Sequence, residues 1–474
     1  MIIQSIVVPD RYETLARKAG SSLPHLIERV PTALSEIESV FGRMKAAGRG
    51  AFMLLRGDSG SGKSTFLHTI KFFKDGVETI SVPPEANIRD FLINDQTPAL
   101  LRVFVLEERE AAVGFSEVEL ETWLHAINGF IRSLSGSNAL IVWPCNTDQL
   151  KARVLKLARN IGGKALVGPG DGWMDFKGPE RTRFPEIAEK TLSLTNQSAT
   201  IADLGLTRAQ LEVCAAENNL IGEFFSDIHG LIIGIQNQVS KLVDKEQCRL
   251  WILVVAGNEP SADVAGLTRG ASSAIDTERL MSATGANIVS ELKKFPEKIG
   301  IVGTVLDAKI LHLPVLTASA ICRAFASDNL KARMKLKAFS LKPDDRDDAL
   351  SRLKQSEVAT LLLDGRLGVQ QRGPKVGSES LAAFEKLADI ASTNDRELNS
   401  CIGRALQAAG LILSFQTERD FGSGLTRRTD IVCETKKGTV RLEVMWRKKT
   451  GRADVANYTL TKVNNYARAI GFIG

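Results

Sequence analysis

The stretch AFMLLRGDSGSGKSTFLHTI, residues 51–70, constrains the fold more than any other part of the chain. An apolar run from Ala51 to Leu55 reads as a buried strand, a glycine-rich loop follows, and a helical pattern begins at Thr65. Within the loop, Gly57-x4-Gly62-Lys63-Ser64 has the spacing of a phosphate cradle, set between the strand and the helix that such a loop requires. Gly57, Gly60 and Gly62 let the backbone curl until its N–H groups converge on phosphate oxygens, with a helix N-terminus behind them. Lys63 is expected to reach the β- and γ-phosphates of a nucleotide, and the Ser64 hydroxyl to complete a Mg²⁺ shell. The expected nucleotide-binding residues therefore run through Gly57, Asp58, Ser59, Gly60, Ser61, Gly62, Lys63, Ser64 and Thr65.

Later segments fit the same parallel sheet. ETISVPP (78–84) is a strand candidate. Val103 to Leu106 form an apolar strand that ends in Glu107 and Glu108. In that position Glu107 would hold the Mg²⁺ water shell and Glu108 would polarise the attacking water; a strand running into a charged helix start is the plainer reading. An amphipathic helix (117–134) leads to NALIVWPCNTDQ, a strand ending in Asn146. With its phosphate loop, acidic strand end and polar strand end, the region 45–215 resembles the AAA+ and STAND branch of P-loop ATPases. The resemblance implies ATP and Mg²⁺ as ligands, Asn146 as a sensor of the nucleotide, and homo-oligomers through the ATPase domain. It also implies an arginine acting on the neighbouring subunit's nucleotide, for which Arg153 and Arg159 are candidates, although both also suit a solvated helix. No NKxD-type guanine signal follows, which favours ATP. Residues 172–177 read as a fifth strand, and FPEIAEKTLSL and LGLTRAQLEVCAAE as helices of a lid.

At 474 residues the chain calls for two or three domains. Its 44% hydrophobic and 24% charged residues fit a globular protein. No apolar run approaches 18 residues, the N-terminus lacks the basic start and cleavage site of a secretory signal, and six scattered cysteines form no CxxC pair. A cytoplasmic protein with core thiols and no membrane partner is expected. Charge is uneven. From Gly422 onward eleven basic residues, Arg427, Arg428 and Lys436 among them, face four acids, a larger excess than the net +6 of the whole chain. A polyanion partner, DNA in particular, would use such a surface; a solvated basic face is the alternative.

Between these regions, CRLWILVVAGNEP reads as a buried strand, and DTERLMSATGANIVSELKK as a helix capped by Asp276. IGIVGTVLDAKILHLP reads as a hairpin or two short strands, which after helices suggests a winged helix or a subdomain that transmits ATPase motion. The Gly/Pro/Ser-rich GVQQRGPKVGSES is the expected hinge. The domain reading is an N-terminal helical segment (1–44), an ATPase core (45–180), a lid and middle domain (181–350), a linker (351–380) and a terminal domain (381–474).

In the terminal domain, a helix with a capping box from Asn394 to Glu397 precedes strands near 411–421, 427–435 and 439–447, then a closing helix. Helix, three strands, helix, with Glu397 on the first helix, Asp430 early in the second strand and Glu443 in the third, resembles the PD-(D/E)xK or restriction-endonuclease-like superfamily over residues 380–474. Asp430 and Glu443 on neighbouring strands repel unless a divalent cation lies between them. Oxygen ligands alone favour Mg²⁺ or Mn²⁺, which would activate water against a phosphodiester. The chain departs from the superfamily pattern at Met445, where the catalytic lysine is usual. Strand alternation puts Glu443, Met445 and Arg447 on one face, so Arg447, or Lys462 on the closing helix, is expected to supply the missing cation.

The fold class expected is α/β: a P-loop NTPase parallel sheet with a helical lid, plus a C-terminal α/β restriction-endonuclease-like domain. The function expected is an ATP-hydrolysing protein that controls a metal-dependent DNA endonuclease, similar to bacterial anti-phage defence or restriction ATPase–nucleases, with further subunits of such a system as partners. The alternatives are an ATP-dependent DNA-binding regulator with an inactive nuclease-like domain, and a signalling ATPase whose basic domain binds protein.

Overall fold

The computed structural model describes residues 6–9, 11–111, 114–167, 171–242, 248–285, 290, 292–341, 346–367, 376–420 and 428–473. The chain forms two compact α/β units. The N-terminal unit comprises residues 8–195 and 209–229, and the C-terminal unit residues 1–7, 196–208 and 230–474.

The N-terminal unit is built on five parallel strands: β1 (Ala51–Arg56), β2 (Val77–Val82), β3 (Leu101–Leu106), β4 (Ala139–Cys145) and β5 (Trp173–Asp175), in the order β2-β3-β4-β1-β5. β1, β3 and β4 are apolar almost throughout because both faces of the sheet are covered. Phe52, Leu54, Phe104, Leu106, Ile141 and Trp143 pack with helices Glu117–Ile131 and Asp148–Val167. Met53, Leu55, Val103, Val105, Leu140 and Val142 pack with helices Pro31–Ala47 and Lys63–Thr69. Helix Glu117–Ile131 starts at a capping box in which Ser116 and Glu119 bond reciprocally, which satisfies two otherwise orphaned N–H groups.

The C-terminal unit holds a mixed seven-stranded sheet. Its strands are β6 (Cys248–Ala256), β7 (Thr268–Arg269), β8 (Ala274–Ile275), β9 (Lys309–His312), β10 (Ser414–Asp420), β11 (Arg428–Thr435) and β12 (Gly438–Arg447), in the order β10-β11-β12-β6-β9-β8-β7. β10, β11 and β12 form an antiparallel meander, turned between β11 and β12 at Gly438, whose φ of 101° is one that side chains rarely adopt. β12 then runs parallel to β6 from Thr439–Cys248 to Arg447–Ala256, and β6 runs parallel to β9. One face carries Trp251, Leu253, Leu442, Val444 and Trp446 beneath helices Val315–Phe325, Ser378–Thr393 and Arg396–Ala408. The other carries Ile252, Val254, Ile310 and Met445 beneath helices Pro296–Val305 and Arg452–Ala469.

This sheet redraws the expected domain limits. The strand of the supposed middle domain, β6, lies inside the sheet of the supposed terminal domain, so residues 230–474 are one unit rather than a middle domain, a linker and a nuclease-like domain. Of the expected linker, residues 351–354 and 357–364 lie in helices Arg346–Lys354 and Glu357–Asp364, which place Leu353, Val358, Ala359 and Leu361 in the core; residues 368–375 of the expected hinge lie outside the described residues. The expected hairpin is also absent. Its first half is the end of helix Pro296–Val305, started by proline at the first helical turn, and its second half is the lone strand β9. The winged-helix reading loses its wing with it. Residues Ile299 to Val305 are buried all round, so their β-branched run showed no helical period. Among the described residues no helix is long and apolar enough to cross a membrane, and the described cysteines are buried and free.

Candidate functional site

In the N-terminal unit the loop after β1 borders a cavity of about 1110 Å³. Ser59, Gly60, Gly62, Lys63, Ser64, Thr65, Glu107 and Glu108 line it. Gly60 and Gly62 have φ of 85° and 92°, so both glycines are needed for the loop's path. Lys63 is buried and its ammonium donates to Gly57 O (2.7 Å), Asp58 O (2.9 Å) and Asn146 Oδ1 (2.8 Å). Burial lowers its proton affinity. The bond to Asn146 follows from strand order, since β4 lies directly beside β1. The Asp58 side chain points away to Arg56 at 2.8 Å, and the buried Ser61 hydroxyl has no hydrogen-bond partner among the described residues. A glycine-rich loop bordering a cavity, a buried lysine and an orphaned hydroxyl fit a phosphate-bearing ligand.

Glu107 directly follows β3, accepts from Ser81 Oγ (2.6 Å) and shares a 2.9 Å hydrogen bond with His68 Nε2. The His68 bond, followed by that of Ser81, lowers the carboxyl below its ordinary range despite burial, so it is ionised at neutral pH. Glu108 is exposed at φ 55°, and Arg109 fixes this turn by donating to the Glu107, Val82, Pro83, Pro84 and Ala86 carbonyls. Arg153 donates to Phe115 O at 3.0 Å, whereas Arg159 is exposed on the same helix. Residues without a motif close the cavity: Pro9, Tyr12, Leu26 and Ile27 from the N-terminal segment, and Ile187 and Gly222 from the expected lid. Gly222 N donates to Gly60 O at 2.9 Å.

In the C-terminal unit the sheet and helix Arg452–Ala469 enclose a polar cluster. Asp430 lies one position past the last Ile431–Leu442 pair of β11 and β12, and its carboxylate accepts from Val444 N at 2.7 Å. Glu443, 1% exposed, accepts from Lys462 Nζ through one oxygen and from Tyr466 Oη (3.1 Å) through the other. Arg441 donates to Thr429 Oγ1 (2.9 Å), which bonds Tyr466 Oη (2.8 Å), so a relay of hydrogen bonds ends on Glu443. Burial, then the charge of Glu443, raises Asp430 from 3.8 to about 7. Burial works against the Lys462 charge, but Glu443 and Asp430 outweigh it and hold the ammonium protonated.

Of the two expected cations, Lys462 meets Glu443, while Arg447 donates to its neighbour's carbonyl, Trp446 O, at 2.9 Å. Met445 is 2% exposed and sits opposite Val254 in the apolar layer, a setting in which an ammonium would lose its hydration. Glu397 does not join the cluster. It accepts from Ser327 Oγ (3.2 Å) and Asn329 Nδ2 (2.9 Å) and pairs with Arg333 at 3.4 Å. Nor does it close a capping box, because Asp395, not Asn394, is the N-cap. The carboxylate from this helix end that acts on Asp430, Lys462 and Tyr458 is Asp395, which makes no capping bond. Sequence reasoning also missed Tyr458 and Tyr466, whose spacing of four residues either side of Lys462 sets all three on one helix face.

Among the described residues no group of three or more metal-ligating side chains comes together. Asp430 and Glu443 nonetheless offer oxygen donors whose mutual repulsion a divalent cation would relieve, and carboxylates retain lone pairs beyond those given to Lys462 and Tyr466. Of the basic residues expected to meet DNA, Arg428 and Lys436 are exposed, with Arg428 3.4 Å from Asp420, and Arg427 lies outside the described residues. No protein-family model matches this chain, and no curated protein matches it in sequence.

Proposed function

We propose that this chain is an ATP-binding and ATP-hydrolysing protein whose C-terminal unit is a metal-dependent DNA endonuclease, of the kind used in bacterial anti-phage defence or restriction. The observation that carries the nuclease reading is Lys462 on Glu443, beside Asp430: a protonated amine and two strand carboxylates, with the cation supplied from the closing helix. Asp430 and Glu443 would hold Mg²⁺ or Mn²⁺, which would supply a nucleophilic hydroxide and charge neutralisation at phosphorus. Burial raises the Glu443 carboxyl; Lys462 opposes that rise and orients it, Tyr466 fixes its second oxygen, and Asp395 adds negative charge beside Asp430. In the N-terminal unit, the glycine loop, Lys63 and the acidic end of β3 on one cavity support ATP binding. Ser64 and Glu107 line that cavity and would hold the nucleotide's Mg²⁺, and Glu108 would polarise water. Assembly into homo-oligomers would use Arg159 more readily than Arg153, whose guanidinium already serves Phe115.

A second reading has its own support. Both Glu443 oxygens are already occupied, which suits a DNA-binding regulator with a silent nuclease-like site. Incubation with plasmid DNA and Mg²⁺ or Mn²⁺, with and without ATP, separates the two. The endonuclease nicks or cuts, Asp430→Ala abolishes cutting while ATPase activity persists, and Lys63→Ala abolishes ATPase activity. Wild-type protein that binds DNA but never cuts it under either metal overturns the nuclease reading.

A further inference from the structure

Glu107 has a neighbour that no phosphate-loop pattern assigns. His68 projects from helix Lys63–Thr69, five residues past the loop lysine, and its side chain is largely buried, 12% exposed. Its Nε2 lies 2.9 Å from Glu107 Oε1, the same oxygen that Ser81 reaches at 2.6 Å. The His68 ring stacks on Tyr12, with centroids 4.8 Å apart and planes 15° from parallel. Tyr12 opens helix Tyr12–Ala19, and it lines the same cavity as Glu107.

We propose that His68 is a positioning residue for the metal-binding carboxylate Glu107, and that Tyr12, by holding the His68 ring, makes the N-terminal helix part of that apparatus. This rests on the reading of the cavity as an ATP·Mg²⁺ site. The physical argument has two parts. A carboxylate free to rotate loses entropy when it must face a metal's water shell, and a donor that fixes its Oε1 removes that cost in advance. The imidazole can fix Glu107 only while its own ring is held, and the flat face of Tyr12 holds it. Docking of helix Tyr12–Ala19 and readiness of Glu107 are therefore two ends of one short chain of contacts.

Two substitutions at position 68 separate the ends. Glutamine offers an amide N–H donor near the place of Nε2 but no ring, and phenylalanine offers a ring but no donor. Binding of a fluorescent ATP analogue is titrated against Mg²⁺, and hydrogen exchange is followed at residues 12–19. His68→Phe is expected to raise the Mg²⁺ requirement about 10-fold or more, as loss of an outer-shell partner does, while residues 12–19 stay protected. His68→Gln is expected to keep the Mg²⁺ requirement closer to wild type and to lose protection at 12–19. Tyr12→Ala should raise the Mg²⁺ requirement, and Tyr12→Phe should restore it. A wild-type Mg²⁺ requirement in both His68→Phe and Tyr12→Ala overturns the inference. Wild-type protein that binds no ATP analogue at any Mg²⁺ concentration overturns instead the ATP reading beneath it.

Discussion

Replacing Asp430 by asparagine should stabilise the metal-free protein, by an amount that grows as pH rises from about 4 to 7 and is complete above that. In the folded chain burial, and then Glu443, raise this carboxyl from 3.8 to about 7. A carboxyl raised on folding binds its proton more tightly in the native state. Its contribution to stability is therefore complete below about pH 4 and is lost as pH rises through 7. At full weight, a rise of that size amounts to about 4 kcal/mol. Asp430 keeps partial contact with solvent, and screening there reduces the expected effect to roughly 2 kcal/mol. Asparagine has nearly the same shape, can still accept from Val444 N, and carries no charge. Urea unfolding of the C-terminal unit, followed by hydrogen exchange of the β11 and β12 amides in EDTA, checks this. The two proteins should match near pH 4 and separate through pH 7, with the asparagine variant more stable by roughly 2 kcal/mol at pH 8. Mg²⁺ at pH 8 should then stabilise wild type by about 2.7 kcal/mol at a hundredfold excess over its dissociation constant, and the variant by much less. Equal pH slopes in the two proteins, or equal stabilisation by Mg²⁺, would refute the picture of two carboxylates awaiting a cation.

Lys462→Ala should reduce plasmid cleavage by about two orders of magnitude or more, because it removes the charge that faces Glu443, whereas Arg447→Ala should cost much less; equal losses would reinstate Arg447. Asp395→Asn should alter the metal dependence of cleavage, while Glu397→Ala should leave cleavage intact and lower stability by about 1 kcal/mol through the lost Ser327, Asn329 and Arg333 contacts, as urea unfolding would read. Gly222→Ala should weaken binding of a fluorescent ATP analogue about 10-fold, or about 1.4 kcal/mol, since its Cβ would lie 2.8 Å from Gly60 Cα and push on the loop.

What the sequence discloses here is what short-range chemistry decides. The loop at Gly57–Ser64 and the strand ending at Glu107 announce themselves because glycine, lysine and acid occupy fixed offsets from apolar runs. The β10–β11–β12 meander is legible for the same reason, each strand being joined to the next by a short link. The partner of β12 is not legible. Parallel pairing with β6 joins residues almost two hundred positions apart, and any buried apolar strand would have satisfied the pattern of LEVMW. The helix acid was misplaced for a smaller reason: Asn394-x-x-Glu397 matches a capping box, but the helix begins one residue later and frees Asp395. The cavity wall formed by Pro9, Tyr12 and Gly222 carries no motif because tertiary packing, not local spacing, brings these residues to the loop.

The pairing of β12 with β6 also orders events in time. During synthesis β6 leaves the ribosome long before residue 447 exists, and at the usual pace of translation the interval is about ten seconds or more. Through that interval β6 must wait with one side of its hydrogen-bonding edge unmatched, a hazard that contact with β9 relieves on one side only. Glu443 lies in the middle of the strand that finally fills the gap, so the acidic cluster is among the last features of the chain to form. A nascent or truncated chain would carry the basic tail or the waiting strand, but not the assembled site. For the same reason residues 378–474 made alone would expose β12 along its full length, and should aggregate rather than fold as a free-standing nuclease.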